Sequence, residues 1–248
     1  MKLIVNGIGG RMGSEVVRLA SEGLRGAQVV CGIDPANPSV SGIECFSTFS
    51  EAAGIKADCV IDFSHHSVTE SLLSHCVAEK LPVIIATTGH DEREIEIIRR
   101  ASEHIPVFFS ANMSLGVALL CELAKTAAKT MPDADIEIIE KHHNRKLDAP
   151  SGTALMLADA ISAVRKGAYY VFGRGGQRKR EKQEIGIHAI RMGNIVGEHE
   201  VIIGTDTQTI TLKHEAHTRA LFAEGAIAAA DFLIGKPAGL YAMKDIVK

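Results

Sequence analysis

The chain has 248 residues, 46% of them hydrophobic, with 23 glycines and a formal net charge of −3, an ordinary globular composition long enough for one or two domains. So small a charge gives no electrostatic footprint for nucleic acid, and no apolar run approaches the ~18 residues that cross a bilayer. Five scattered cysteines, odd in number and without a CxxC pair, argue against a disulfide framework or a zinc site; with no apolar leader after Met1, the expected location is the cytoplasm.

Leu3-Ile-Val5 reads as a short buried strand. Gly7-Ile8-Gly9-Gly10-Arg11-Met12-Gly13 follows and opens a helical pattern through Val16, Val17 and Leu19. Strand, glycine turn and helix form the context in which such a run binds a dinucleotide, because backbone without Cβ lets a pyrophosphate approach a helix N-terminus. The spacing fits G-x-x-G-x-x-G better than G-x-G-x-x-G, whose sixth position here is Met12. A second strand, Gln28–Ile33, ends at Asp34, about twenty residues after Gly13, where a carboxylate that accepts from an adenosine ribose hydroxyl is expected.

The alternation continues. Strands are expected over 57–62, 82–86 and 106–109, with helices over 66–80 and from the capping box Asp91-Glu-Arg-Glu94 to about 103. Such an order makes βαβ units and a parallel sheet, whose ligands sit at the carboxyl ends of the strands. Thr87, Thr88 and Asn112 stand there. Singly they are turn-formers, and only their common placement points to a ligand. After Met113 the rhythm changes to a long helix (115–131), a strand over 135–139, a helix over 151–165 and three strands joined by turns (185–190, 200–203, 207–213). This half is expected to hold a mixed sheet. The run Gly173–Lys182, basic and without aromatics to stack on bases, is expected to be a mobile solvated loop. A helix over 221–234 and a tail complete the chain.

Chemistry concentrates in Glu140-Lys-His-His-Asn-Arg-Lys-Leu-Asp-Ala-Pro-Ser-Gly-Thr-Ala154, between the strand and the helix. Pro150–Thr153 lies at a helix start, where unpaired N–H groups attract anions. His142, His143 and Lys146 supply acids and cations suited to neutralise the electron density left by hydride transfer, and Gly152 and Thr153 suit a carboxylate. A solvated charged turn is the plainer account of the same residues. Adjacent histidines without partners at ligand spacing do not suit zinc, no G-x-S-x-G elbow surrounds Ser151, and Asp148 suits an anchor for the loop.

Together with Ala86-Thr-Thr-Gly89, Ala111-Asn-Met-Ser114 and Gly193-Asn-Ile-Val-Gly-Glu-His199, these segments resemble the dihydrodipicolinate reductase family over essentially the whole chain. The resemblance implies a Rossmann-like parallel-sheet domain over 1–113 completed by the C-terminal tail 221–248. It implies a central α+β domain over 114–220 for substrate and tetramer assembly, with a mixed open sheet. It further implies a cytosolic homotetramer on the diaminopimelate route to lysine that reduces a cyclic dicarboxylate with NADH or NADPH and no metal. His142 would be the proton donor and Lys146 a second one, with His143, Gly152 and Thr153 on the substrate carboxylates. Gly7, Ile8, Gly9, Gly10, Arg11, Met12, Asp34, Ala86, Thr87, Thr88, Ser110, Ala111, Asn112 and Met113 would meet the cofactor. Three positions depart from the pattern: Ala86 replaces a glycine, Met113 a phenylalanine, and Pro35 stands where some members carry an arginine. Asp34 without that cation predicts a preference for NADH. The rival expectations are another two-domain dehydrogenase, such as one acting on aspartate or its semialdehyde, and a non-catalytic NAD-sensing module.

Overall fold

A computed structural model describes residues 1–36 and 39–247. Contacts divide the chain into two units, Met1–Ser114 with Ala220–Ile246, and Leu115–Arg219. Lys248, the end of the first domain expected from sequence, lies outside the described residues.

The first unit begins with β1 (Lys2–Asn6), α1 (Arg11–Ser21), β2 (Gln28–Ile33), β3 (Glu44–Phe46) and β4 (Cys59–Asp62). It continues through α2 (Thr69–Glu79), β5 (Val83–Ile85), α3 (Glu92–Ser102) and β6 (Pro106–Phe109). With β12 (Gly239–Tyr241) contributed by the tail, these strands form one parallel sheet in the order β12-β6-β5-β4-β1-β2-β3. Continuous apolar strands such as Leu3-Ile-Val5 and Val83-Ile-Ile85 have no exposed surface, as a sheet covered on both faces requires. The chain leaves β1 toward β2 on one side and returns to β4 on the other, so a crevice opens outside the strand ends at that switch. Asp91 and Glu94 make the expected capping box of α3.

The second unit holds α4 (Leu115–Thr130), β7 (Asp135–His142), α5 (Gly152–Ser162), β8 (Tyr169–Phe172), β9 (Glu184–Arg191), β10 (Gly197–Gly204) and β11 (Thr209–Ala216). Its sheet runs β11-β10-β7-β9-β8 and is mixed: β7, β9 and β8 are parallel, while β10 is antiparallel to β7 and β11. Helices α4 and α5 cover one face, where Ile136, Ile138, Ile185, Ile187, Val201 and Ile203 pack against Leu120, Ala124, Leu157 and Ile161. The chain then returns to the first unit through α6 (Ala220–Leu233), β12 (Gly239–Tyr241) and α7 (Met243–Ile246).

Two expectations need correction. The strand expected to stop at Ile139 runs on to His142, because the in-out alternation continues through Glu140 and His142 although both are polar. The basic run is a loop but a pinned one. Arg174 and Arg178 both bond the fully buried Glu184 carboxylate, and Arg180 bonds Glu137, Asp135 and the Ile136 and Glu184 carbonyls. A buried carboxylate demands such partners. Chiefly through Arg178, they hold its pKa at about 2.

Candidate active site

In the first unit, two cavities meet the strand ends and share Phe63, Ser64 and His65 from the turn after β4. One, of about 900 Å³, is lined by Gly7, Gly10, Asp34, Pro35, Ser47 and Thr48 among others. The other, of about 520 Å³, is lined by Arg11, Met12, Ala86, Thr87, Thr88, Ala111, Met113 and Phe222. The glycine turn fits a pyrophosphate. Gly7 has φ +78°, and a Cβ there would lie 2.6 Å from the Phe63 carbonyl oxygen; one on Gly13 would lie 2.2 Å from the Gly7 carbonyl oxygen. Helix α1 has no side-chain cap and no acid in its first turn, so its N-terminus keeps its positive end for a phosphate. Asp34 accepts from the Gly9 and Ala36 N–H groups, both at 3.0 Å, and lines the larger cavity.

Not every residue expected at the cofactor lines one of these two cavities. Ile8 is buried, with its side chain where a Cβ on Gly32 would fall; Gly9 turns its N–H to Asp34. Ser110 and Asn112 brace their own turn, the Ser110 hydroxyl donating to the Asn112 carbonyl and Asn112 Oδ1 accepting from Ser114 N–H. The Thr87 hydroxyl donates to Asp62, a fully buried carboxylate that also accepts from Asn6 and Ser64. Burial pushes the Asp62 carboxyl above the usual range, against those hydrogen bonds. The Phe63–His65 turn escaped the sequence reading although the strand-end rule applies to β4 as much as to β5. Phe222 carried no such signal.

In the second unit, strand period builds the site. Ile136, Ile138, Glu140 and His142 share one face of β7, so the row that begins as apolar core ends as a carboxylate and an imidazole. Register sets Arg191 of β9 opposite His142, and His199 of β10 opposite Glu140, on the same face. The Glu140 carboxylate, with no exposed surface, accepts from His142 Nδ1 at 2.5 Å, from Arg191 Nη1 and Nη2 at 2.8 and 2.7 Å, and from Ser151 N–H at 3.0 Å. Burial pushes its pKa up, but these four bonds prevail and hold it at about 2. On the other side of the ring a Cβ on Gly197 would lie 3.1 Å from His142 Nε2, so glycine leaves that nitrogen open.

Ser151 caps α5 by accepting from Ala154 N–H, and its hydroxyl hydrogen-bonds His199 Nε2 at 3.1 Å. Gly152 and Thr153 are therefore the first two helical residues. His199 is nearly buried and edge-on to His142; burial first, and the charge of His142 second, push its pKa down to about 4. The backbone of His143 is tied to Ile195. Burial of its ring, then the charges of Arg145 and Arg219, hold its imidazole below the usual range. Lys146 Nζ lies 2.8 Å from Asp148 Oδ1, so Asp148 engages the lysine in that loop. Glu140, Arg191, Gly197 and His199 were not singled out as functional from sequence. For Glu140 the signal was present, since i and i+2 on a strand share a face.

A parallel sheet with a phosphate-ready glycine turn, joined in one chain to an imidazole held by a buried carboxylate at the start of a helix, defines a dinucleotide-dependent oxidoreductase. The cysteines offer no activated nucleophile for a semialdehyde dehydrogenase: burial pushes the Cys59 thiol far up and that of Cys121 to about 11. Two family descriptions match the chain, "Dihydrodipicolinate reductase, N-terminus" over residues 1–113 and "Dihydrodipicolinate reductase, C-terminus" over 116–247. The chain is 47% identical to the 4-hydroxy-tetrahydrodipicolinate reductase of Caldanaerobacter subterraneus subsp. tengcongensis, covering 100% of this chain and 98% of that one. It is 42% identical to the enzyme of that name from Clostridium tetani, covering 98% and 95%. The fold is also that of the dipicolinate-bound dihydrodipicolinate reductase from Paenisporosarcina sp. TG-14, with TM-score 0.83, 23% identity and 99% of each chain covered. The chain belongs to the dihydrodipicolinate reductase family.

Proposed function

We propose that the protein reduces 4-hydroxy-tetrahydrodipicolinate to tetrahydrodipicolinate at the expense of NADH or NADPH, a step of the diaminopimelate route to lysine carried out in the cytoplasm. The net change delivers a hydride and a proton to the ring and releases water. Reduced nicotinamide, when bound, supplies the hydride. Residues 1–113 with 221–248 form the dinucleotide-binding domain. There the Gly7–Met12 turn holds the pyrophosphate, Asp34 the adenosine ribose, and the segments Ala86–Thr88 and Ser110–Met113 the nicotinamide end. Residues 114–220 bind the substrate. Gly152 and Thr153 receive one carboxylate at the start of α5, and His143 pairs with a carboxylate, near the charge of Arg219. His142 donates the proton from Nε2, Lys146 is the second donor, and no step requires a metal.

The observation that carries this reading is the His142 ring, tied through Nδ1 to Glu140 and open at Nε2 beneath Gly197, with the same carboxylate bound to the Ser151 N–H that opens the anion turn. The test is loss of reduced-nicotinamide absorbance with substrate generated freshly from pyruvate and aspartate semialdehyde by a synthase. Wild type should turn over and His142→Gln should fall by about 10²- to 10⁴-fold. A folded wild type that binds NADH and never turns over would defeat the reading.

Asp34 supports a preference for NADH. It lines the larger cavity, which has no lysine or arginine among its described lining residues, and Arg11 lines the other cavity. A 2′-phosphate there would meet a like charge. The ratio of kcat/KM for the two cofactors decides it, and a ratio favouring NADPH counts against Asp34 as the discriminator. A homotetramer built on the second unit's sheet is supported by the face opposite α4 and α5. That face carries Lys141 and Lys213 in ion pairs with Glu198 and Glu200, alongside a 38% exposed Ile190. Sedimentation equilibrium reports the state, and a monomer at micromolar concentration would refute it.

A further inference from the structure

We propose that Glu140 is the positioning residue of this reaction: one buried carboxylate sets which nitrogen of His142 carries the exchangeable proton and ties that ring to the turn receiving the substrate carboxylate. The inference rests on the reading of His142 as proton donor. Glu140 Oε2 accepts from His142 Nδ1 and Arg191 Nη1, while Oε1 accepts from Ser151 N–H and Arg191 Nη2. All four donors fall on two oxygens, so the carboxylate is saturated and stays ionised through the working pH range. An ionised carboxylate only accepts. Nδ1 must therefore keep its hydrogen whether the ring is neutral or cationic, and the proton that comes and goes is confined to Nε2, the nitrogen left open by Gly197.

The second half of the role is geometric. Ser151 is the N-cap of α5, and its N–H is held by the same carboxylate that holds His142. Arg191 extends the tie by donating from Nη2 to the Asp148 carbonyl at 2.6 Å. Acid and anion turn are thus braced by one group, which sets their spacing before substrate arrives. The other charged or titratable groups facing the ring do not substitute for Glu140. From β9, Arg191 is positive and committed to Glu140. From β10, His199 is held neutral, with His214 of β11 beyond it. From the following loop, His143 and Lys146 bring positive or neutral groups, and Asp148 is engaged by Lys146. Glu140 is the negative group bonded to the imidazole.

The decisive variant is Glu140→Gln, which keeps the shape and removes the charge. Expected is a kcat lower by about 10²- to 10⁴-fold with KM within a few-fold, as for loss of an orienting carboxylate behind a catalytic imidazole. The descending limb of the kcat/KM profile, where the donor loses its proton as pH rises, should move to lower pH, because a negative neighbour has gone. A merely structural role would lower Tm and leave that limb in place, and this outcome overturns the proposal. Should Glu140→Gln not fold, Arg191→Gln serves instead. It removes a positive charge and leaves the carboxylate, so the limb must move to higher pH, and an unmoved limb is again fatal. Ring-nitrogen NMR of the full chain with ¹⁵N-histidine, the His142 signals assigned by their absence in His142→Gln, separates this inference from the functional reading. If wild type proves inactive, the function fails; a His142 Nδ1–H tautomer that is lost in Glu140→Gln still supports the positioning role, and identical ring signals in both proteins refute it.

Discussion

Adding one methyl group at Gly197 tests whether His142 Nε2 is the working atom. An alanine Cβ there would lie 3.1 Å from Nε2 and 3.4 Å from Cδ2. Comfortable carbon contacts begin near ~3.5 Å, so the ring would have to retreat by a few tenths of an ångström. Its opposite nitrogen is bonded to Glu140 at 2.5 Å, and Glu140 is itself held by Arg191 and Ser151, so the ring has little room to yield. Overpacking of this kind costs roughly 1–3 kcal/mol. The larger effect is chemical: the methyl would occupy the ~2.6–3.2 Å shell around Nε2 where a proton partner must stand. A misplacement approaching ~1 Å costs on the order of 10² in rate. Gly197→Ala should therefore lose about 10- to 10²-fold in kcat while its NADH affinity, set by the other unit, stays at the wild-type value. Gly204→Ala, on the same strand, is the control, since its Cβ would meet Thr209 Oγ1 at an ordinary 3.7 Å. Steady-state kinetics with fluorescence titration of NADH reads both variants. A fully active Gly197→Ala would show that the proton does not travel through Nε2.

A methyl on Gly225 of α6 would fall 1.6 Å from the Met113 carbonyl oxygen, a backbone atom that cannot swing away. Gly225→Ala should lower stability by roughly 1–3 kcal/mol and weaken NADH binding through the displaced 110–113 turn, and unchanged urea midpoints would refute this. Acid should weaken the fold in two overlapping stages. His199, with its folded pKa near 4 and an ordinary value of 6.5, contributes stability that is complete above the ordinary value and lost as pH falls toward 4. Glu140, with a folded value near 2 against 4.5, contributes stability that is complete above 4.5 and lost as pH falls through 2. Each shift corresponds to something on the order of 3 kcal/mol, and the two are coupled through His142, so they do not add. In urea titrations across this range Glu140→Gln should lack the lower stage; a wild-type stability flat down to pH ~3 would disprove both assignments.

The parallel sheet was legible because its strands are short apolar runs separated by helical periods, a pattern that survives without tertiary information. The glycine turn was legible for the same reason, since a strand, four glycines and a helix in sequence leave few other structures. What escaped was polar identity on buried faces. Glu140 and His142 end a strand that ordinary pattern reading stops at Ile139, because the face they continue has turned from isoleucine to ionisable groups. Arg191 and His199 lie far along the chain and reach the same place only through the register of β9 and β10 on β7. The arginine loop misled in the opposite direction. Its charges read as solvated, yet they answer the buried Glu184, whose burial is set by β9 pairing on both sides and is invisible to local composition. The short strands β3 and β12, three residues each, carry no period to find.

The presence of Glu140 in a core row carries a further argument. Burying a carboxylate with its arginine is weak evidence for stability, since well-packed apolar residues of similar volume are often neutral or better in such places. The row beneath it shows that the alternative is accessible: Ile136 and Ile138 occupy the same face of the same strand and pack without charge. A site chosen for stability would continue that row. The cost of desolvating Glu140 is instead met by four hydrogen bonds drawn from three separate segments, β7, β9 and the start of α5. Replacing Glu140 and Arg191 together with Leu and Met should therefore leave the urea midpoint near or above that of the wild type while abolishing turnover. A double variant that is both unfolded and rescued in activity by neither single reversion would mean that the pair is structural, and that the position of His142 is set by its neighbours on the sheet alone.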